Sequence, residues 1–172
     1  MLRAALVSAF ALQASALTVG AKMPKSVLSK CGVSGKKACI FFYGADDAPS
    51  CSKELSAFDA ALPAFKEAGV TVVGVRNEAG AKGSDTSVKL VVDGDDSMRN
   101  EIGIEKDLFG LLGGRETYVV DASGTVVSVH NNQFDPNSHV SVSLDALEAL
   151  PSSPLDDFAA QVESALASFK LG

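Results

Sequence analysis

Three apolar runs of strand length stand out from the mixed sequence around them. They cover residues 38–43, 70–75 and 88–92. The first two are continuously apolar, which is typical of parallel strands that are buried on both faces. Because the chain between them is long enough for a crossover helix, these two runs predict a βαβ unit.

The crossover between these two strands carries a clear helical pattern. It begins near Pro49 and should end at Gly69, and Pro63 should kink the helix or split it in two. Four apolar positions at helical spacing would bury one face against the sheet: Leu55, Phe58, Leu62 and Phe65.

The later part of the chain predicts a hairpin and a further helix. Residues 117–120 and 125–129 flank a turn that ends in Gly124, which is typical of two antiparallel strands. The segments 17–37 and 77–87 are rich in turn residues and should be irregular. An amphipathic helix is predicted from Val140, Leu144, Leu147 and Leu150.

The two ends of the chain predict separate segments. A charged start, a short apolar run and small residues at positions 14–16 predict a signal peptide over residues 1–16. The alternative is an amphipathic N-terminal helix. The remainder divides into a domain over residues 17–152 and a C-terminal helical extension over residues 153–172. The apolar run near the start is far too short to span a bilayer, and no other segment is long enough.

Composition and charge exclude several classes of function. At 172 residues, with 47% apolar and 21% charged residues, the chain has the composition of one globular domain. The net charge of −6 argues against a nucleic-acid surface, because no stripe of Lys and Arg could neutralise phosphates. Three cysteines cannot all pair and no CxxC occurs, which argues against a disulfide framework, a CxxC reductase and a zinc site. The sequence predicts no metal, flavin or haem cofactor.

The candidate chemistry is centred on Cys51, in the first turn of the predicted helix and just beyond a buried strand. Unpaired backbone N–H groups and the positive end of the helix dipole favour the thiolate there. Such strands also deliver residues to the sheet edge where ligands bind. The alternative is that Cys51 is only a small buried apolar residue.

Five segments in order along the chain resemble one known family. Residues 41–54, FFYGADDAPSCSKE, are similar to the active-site segment of peroxiredoxin Q, or bacterioferritin comigratory protein, which reads roughly FYPxDxTPGCTKE. Further matches occur at residues 19–24, 107–110, 114–121 and 130–134. The resemblance covers nearly all of the predicted domain.

The resemblance implies a thioredoxin-like α/β fold, with a central mixed sheet flanked by helices, and reduction of hydrogen peroxide or alkyl hydroperoxides. It implies that Cys51 is the peroxidatic cysteine and becomes a sulfenic acid. The resemblance also implies that Arg115 stabilises the thiolate and the peroxide oxygens. Without the resemblance, Arg115 would be interpreted as a surface arginine in an ion pair. The implied peroxide pocket comprises Gly44, Ala48, Pro49 and Ser50.

Three positions depart from the family's pattern. Gly44 replaces the proline, and Ala48 replaces the threonine whose hydroxyl contacts the peroxide. Ser50 and Ser52 are the nearby hydroxyls that could replace it. Ser56 occupies the position, five residues after the peroxidatic cysteine, where many members carry the resolving cysteine.

Resolution of the sulfenic acid must therefore follow another route. One hypothesis is that Cys31, in chain expected to be exposed or mobile, attacks Cys51. The favoured hypothesis is that an external thiol, from thioredoxin, glutaredoxin or glutathione, attacks directly. Cys39 lies on the apolar first strand and is interpreted as structural.

Two other functions and the destination of the protein stay open at this point. The departures would also suit a redox sensor or binding module with weakened peroxidase activity. A Cys/His hydrolase using His130 or His139 is a third hypothesis, although nothing in the sequence links either histidine to Cys51. The signal-like start and the family resemblance predict a plastid reached through the secretory route, or else secretion. The family resemblance also predicts a monomer.

Overall fold

The structure is a computed structural model that describes residues 16–106 and 113–150. The predicted signal peptide, all but its last residue, lies outside the described residues, as do the matched segment 107–110 and the predicted helical extension. Within the described part of the chain, no helix has the length and apolar character needed to cross a membrane.

The centre of the molecule is a five-stranded mixed sheet in the order β3-β2-β1-β4-β5. The first three strands run parallel to one another, whereas β4 is antiparallel to β1 and β5 is antiparallel to β4. The sequence-based βαβ unit and hairpin are therefore both confirmed. The strands are β1 Ala38–Phe42, β2 Thr71–Asn77, β3 Lys89–Asp93, β4 Glu116–Val120 and β5 Val126–His130.

Among the described residues, four helices flank this sheet: α1 Lys25–Lys30, α2 Pro49–Glu67, α3 Ser97–Ile102 and α4 Ser138–Glu148. Helices α2 and α4 pack against each other, α2 contacting β2 and α4 contacting β4 and β5. The prediction that residues 17–37 are irregular is wrong where α1 forms. This helix has only six residues, which is too few to show an apolar repeat in the sequence.

Helix α2 is continuous, so the predicted split at Pro63 is wrong. Pro63 lies on the exposed side of the helix. Proline has no N–H group to donate to the carbonyl oxygen four residues earlier. Solvent can hydrate that oxygen on this exposed side of the helix. The predicted end is confirmed, since Gly69 adopts a φ of +68° after the cap residue Ala68. The left-handed conformation at this position favours glycine.

Strand β1 separates two apolar cores because its side chains alternate between the faces of the sheet. Ala38, Ile40 and Phe42 belong to one core, which also contains Cys31. Cys39 and Phe41 belong to the other core, which lies under α2 and α4. All five residues of β1 are buried, as expected for a central strand covered on both faces. From its carboxyl end the chain passes through residues 43–48 to the start of α2.

Candidate active site

Cys51 is the third residue of α2, and Pro49 is the first. Ala48, the cap residue, has an extended conformation, and its carbonyl accepts the first hydrogen bond of the helix from the amide of Ser52. The amide of Cys51 precedes this bond and so belongs to the unpaired first turn of the helix. Cys51 is buried, with 5% of the residue exposed.

Arg115 is the residue immediately before β4, and its side chain reaches Cys51. The antiparallel pairing aligns Phe42 with Glu116, which brings the start of β4 to the end of β1. The Arg115 Nη2 atom lies 3.3 Å from the Cys51 Sγ atom and donates a 2.9 Å hydrogen bond to the Ser50 hydroxyl. Because Arg115 is 1% exposed, the interpretation of Arg115 as a surface arginine is wrong.

The Cys51 sulfur and the Arg115 guanidinium border a pocket of about 250 Å³. Gly44, Ala48 and Ser50, which the resemblance implies for the peroxide pocket, also line this cavity, whereas Pro49 does not and instead begins α2. The sequence did not predict the other lining residues, although Ala45 and Gln133 lie in matched segments. They are Ala45, Asn77, Ala79, Gly80, Gly113 and Gln133.

Of the two hydroxyls expected near Cys51, only Ser50 lines the pocket. Ser52 instead donates a 2.7 Å hydrogen bond to the backbone carbonyl of Asp46 and borders a separate cavity. Ala48 presents only a methyl group to the pocket. Ser50 is therefore the hydroxyl that could contact a bound peroxide in place of the missing threonine.

The loop from β1 to α2 is held in place by the buried carboxylate of Asp46. It accepts hydrogen bonds from the Tyr43 hydroxyl at 2.6 Å and from the backbone amides of Lys82 and Gly83 at 3.0 Å each. The Arg76 Nε atom lies 3.1 Å from the same carboxylate. These contacts tie the segment before Cys51 to the loop after β2 and so hold one wall of the pocket in place.

A second buried arginine, Arg99, ties together the carboxyl ends of β1 and β2. Its Nη2 atom donates to the carbonyl oxygens of Tyr43 at 2.6 Å and Val75 at 3.2 Å. It is paired with Asp93 at 3.6 Å and lies 5.3 Å from the centre of the Phe42 ring. This arginine supports the sheet edge from which the active-site loop departs.

Behind Arg115 lies a buried group of polar side chains that the sequence did not reveal. The Arg115 Nε atom lies 3.4 Å from Glu54 Oε2, and Glu54 Oε1 lies 3.6 Å from His139 Nδ1. The Thr117 hydroxyl and His139 Nδ1 are hydrogen-bonded at 2.8 Å. Burial raises the pKa of Glu54 to about 8, although Arg115 opposes the shift, and lowers the pKa of His139 to about 4.

Neither histidine forms a catalytic pair with Cys51. His139 is bonded to Thr117 and to the carbonyl of Asn132, and the His130 Nε2 atom is bonded to the Ser138 hydroxyl at 2.8 Å. The geometry therefore gives the Cys/His hydrolase hypothesis no support. Among the described residues, no group of three or more His, Cys, Asp or Glu side chains could hold a metal ion.

The other two cysteines lie in different surroundings from Cys51. Cys31 is fully buried at the end of α1, so the expectation of an exposed or mobile Cys31 is wrong. Burial raises the pKa of the Cys31 thiol to about 11 and of the Cys39 thiol to about 12. Both thiols are therefore protonated and poorly nucleophilic near neutral pH.

A mixed sheet with a thiol in the first turn of the helix after its central strand defines a thioredoxin-like thiol redox domain, and the nearby arginine gives that sulfur a cationic partner. Comparisons with known proteins agree with this assignment. The AhpC/TSA family profile matches residues 9–129, and the chain belongs to this family. The matched region begins within the predicted signal peptide.

The chain is similar to curated peroxiredoxin Q proteins, in agreement with the sequence resemblance. The chain is 40% identical over 122 residues to the chloroplastic peroxiredoxin Q of Sedum lineare and 39% identical to that of Populus jackii. Each match covers 67% of this chain. It spans 66% of the Sedum protein and 57% of the Populus protein, less than two thirds of either.

Solved structures show the same fold. Peroxidoxin BcpB from Mycobacterium tuberculosis matches with a TM-score of 0.67 at 24% identity, over 79% of this chain and 99% of that one. The Xanthomonas campestris bacterioferritin comigratory protein matches with a TM-score of 0.62 at 25% identity, over 80% of this chain and 98% of that one. The latter structure is described in connection with alkyl peroxide reduction. The predicted thioredoxin-like peroxiredoxin fold is thereby confirmed.

Proposed function

We propose that this protein is a thiol-dependent peroxidase that reduces hydrogen peroxide and alkyl hydroperoxides at Cys51. The observation that carries the proposal is the 3.3 Å contact between Arg115 Nη2 and Cys51 Sγ at the edge of a pocket of about 250 Å³. A fixed cation next to the sulfur stabilises the thiolate and the charge that develops on the leaving oxygen. Family membership supports the same chemistry.

In the proposed first step, the Cys51 thiolate attacks one oxygen of the O–O bond. A sulfur–oxygen bond forms and the O–O bond breaks, so that the sulfur is oxidised to a sulfenic acid and the peroxide is reduced. The leaving alkoxide or hydroxide takes a proton from solvent and departs as alcohol or water. Arg115 and the Ser50 hydroxyl are polar groups positioned to hold the peroxide oxygens, since both line the pocket and contact each other.

In the proposed second half of the cycle, an external thiol re-reduces Cys51. The thiol attacks the sulfenic sulfur, releases water and forms a mixed disulfide, which a second thiol then reduces to regenerate Cys51. The position of Cys31 supports this route, because Cys31 is fully buried in the core on the other face of the sheet. A disulfide from Cys31 to Cys51 would require the chain to leave that core.

The central experiment follows peroxide consumption with thioredoxin, glutaredoxin or glutathione as the thiol donor. Cys51→Ser should abolish turnover, whereas the matched substitution Cys31→Ser should leave the initial rate close to that of the wild type. Equal rates for the wild type and Cys51→Ser would disprove the proposal. Mass spectrometry after peroxide treatment should show a Cys51 sulfenic acid or mixed disulfide, and a stoichiometric Cys31–Cys51 bridge would instead support the internal route.

The methyl group of Ala48 favours a second candidate, a redox sensor with weakened peroxidase activity. Loss of one hydrogen bond to the transition state lowers a rate by about 10²–10³ in comparable oxyanion sites. Ala48→Thr should therefore raise the rate of Cys51 oxidation if the wild-type pocket lacks that contact. No increase would indicate that the Ser50 hydroxyl already supplies it. A slow wild-type rate that Ala48→Thr increases strongly would favour the sensor.

We propose a plastid as the destination, reached through the secretory route. The chloroplastic names of the relatives and the signal-like pattern in residues 1–16 support this proposal. In a cell whose plastids are reached through the secretory route, a fluorescent fusion to the full chain should be found in the plastids. Fluorescence in the medium or the secretory compartments alone would favour a secreted protein.

A further inference from the structure

An apolar groove lies between the ends of α2 and α4, at the opposite end of α2 from Cys51. Its cavity has a volume of about 330 Å³, and the residues that line it are Ala64, Glu67, Ala68, Leu144, Leu147 and Glu148. The two leucines are half-buried and the two alanines are exposed. The groove is therefore an apolar surface that the described residues leave uncovered.

The apolar side of this groove is continuous with the core of the domain. Leu144 and Leu147 of α4 pack against the core that lies under α2 and α4, as does the half-buried Leu62 of α2. An apolar side chain in the groove would extend this core and would remove further apolar surface from water, which is favourable. The groove is thus suited to an apolar helix face that lies along α2 and α4.

The chain leaves the described part of the structure beside this groove. Helix α4 ends at Glu148, which lines the groove, and the described part ends shortly after it. Residues 151–172 follow in the sequence. Pro151 disfavours a continuation of α4, and Ser153 followed by Pro154 is a typical start of a new helix.

The segment 153–172 has one apolar side and one polar side if it is placed on a helix. Its large apolar residues recur at a spacing of three or four, namely Leu155, Phe158, Val162, Leu166 and Phe169. Asp156, Asp157 and Glu163 fall about 100° or more from the centre of this apolar side. A helix over residues 154–170 would be about 25 Å long, against about 28 Å for α2.

We infer that residues 153–172 form a helix that folds back at the end of α4 and places its apolar side in the groove between α2 and α4. The link from Leu150 to Leu155 spans at most about 17 Å, which is enough to turn back onto Leu147. A short link also gives the segment an effective concentration on the order of millimolar, so it occupies the groove in preference to a second copy of the chain. The groove lies outside the Cys51 pocket, so this docking is independent of the proposed reaction.

The test uses a single tryptophan in the full chain, which has none of its own. Phe158→Trp places this reporter on the apolar side of the segment, and its emission in the native protein should be blue-shifted. Phe134→Trp is the exposed reference, because Phe134 is 91% exposed, and its emission should lie further to the red. Equal emission from the two reporters in the native protein would show that the segment does not dock.

Two matched substitutions on α2 locate the docking site. Ala64→Asp places a charge in the groove, and because Ala64 is exposed the domain should stay folded. It should shift the emission of the Phe158→Trp reporter to the red. Ala60→Asp makes the same change one turn earlier, beside a separate cavity, and should leave the emission in place. A blue-shifted emission that Ala64→Asp does not change would place the segment elsewhere and overturn the inference.

Hydrogen exchange tests the same docking without a reporter. Amides of residues 155–169 should exchange at least about tenfold more slowly than those of an unfolded chain, and Ala64→Asp should remove this protection. Light scattering gives the mass of the protein over the same range of concentration. The protection and the blue shift should be present in the monomer. If they appear only where a dimer forms, the groove is an interface between two copies and the inference fails.

Discussion

Cys51 and Cys31 are two buried thiols in the same small domain, and they differ mainly in what lies next to the sulfur. Cys31 is fully buried among apolar side chains, whereas Cys51 is 5% exposed, contacts a guanidinium and borders a pocket. Lys89 lies near Cys31, but its ammonium group is bonded to the Cys31 backbone carbonyl at 2.8 Å. Burial alone therefore makes a thiol inert, and reactivity requires a cation that reaches the sulfur together with a path for the substrate.

The largest expected difference between the two thiols is their rate of alkylation. Near pH 7 a thiol with a pKa of about 11 is ionised to roughly one part in 10⁴, and Cys31 is also fully buried. Iodoacetamide should therefore modify Cys51 at least about 10³ times faster than Cys31, as measured by time-resolved peptide mass spectrometry. In denaturant the two rates should converge. Comparable alkylation rates in the native protein would show that the surroundings of Cys51 and Cys31 do not make their reactivity different.

Removal of the guanidinium should make Cys51 resemble Cys31 in reactivity. Arg115→Gln should lower the rate of Cys51 oxidation by hydrogen peroxide by about 10²–10³, because charge on the leaving oxygen is no longer stabilised. Arg115→Lys keeps a positive charge without the planar guanidinium, so its rate of Cys51 oxidation should lie between those of the wild type and Arg115→Gln. An unchanged rate in Arg115→Gln would show that the contact with Cys51 has no catalytic role.

The Ser50 hydroxyl should contribute less than the guanidinium. Ser50→Ala removes a pocket hydroxyl bonded to Arg115, and the oxidation rate should fall by about tenfold, the effect of one hydrogen bond. Ser52→Ala is the matched control, since the Ser52 hydroxyl is bonded to the Asp46 carbonyl and does not line the pocket. Equal effects of the two substitutions would exclude a specific role for Ser50.

The last prediction concerns the stability of the folded state around the Cys51 site. The folded pKa of Glu54 is raised from 4.5 to about 8, so between these values the folded protein holds a proton that the unfolded chain releases. Stability therefore falls as pH rises through this window, with a slope of at most about 1.4 kcal/mol per pH unit. His139 acts in the opposite direction between about 4 and 6.5, where stability rises with pH.

The Glu54 contribution should therefore be seen without opposition from His139 between pH 6.5 and about 8. Denaturant unfolding across this interval should show a negative slope in the wild type that is absent in Glu54→Gln. A wild-type stability that rises over the same interval by the same amount in both proteins would show that Glu54 is already ionised in the folded state.

Much of the fold followed from local patterns. The continuous apolar runs predicted the central strands, because a strand buried on both faces has no polar position to interrupt it. Gly69 predicted the end of α2 because a left-handed residue there suits glycine. Helix α1 was missed because six residues are too few to show a period.

The candidate site could be predicted only in part. The position of Cys51 in the first turn of a helix followed from the local sequence, and the assignment of Arg115 followed from the family resemblance. The contacts of Glu54 and His139 behind Arg115 gave no local signal, because a carboxylate on a helix and a lone histidine are ordinary in sequence. The burial of Cys31 was likewise invisible in a segment that read as a turn-rich loop.

The sequence by itself determined the strands, the long helix and the thiol in its first turn, since these depend on residues that are neighbours along the chain. Tertiary structure alone decided which side chains meet that thiol. Sheet register brings Arg115 to Cys51 across 64 positions, and the packing of α4 on α2 brings His139 to Glu54. Side-chain alternation in β1 separates the core that holds Cys31 from the core that holds Cys51, because successive residues of a strand face opposite sides of the sheet.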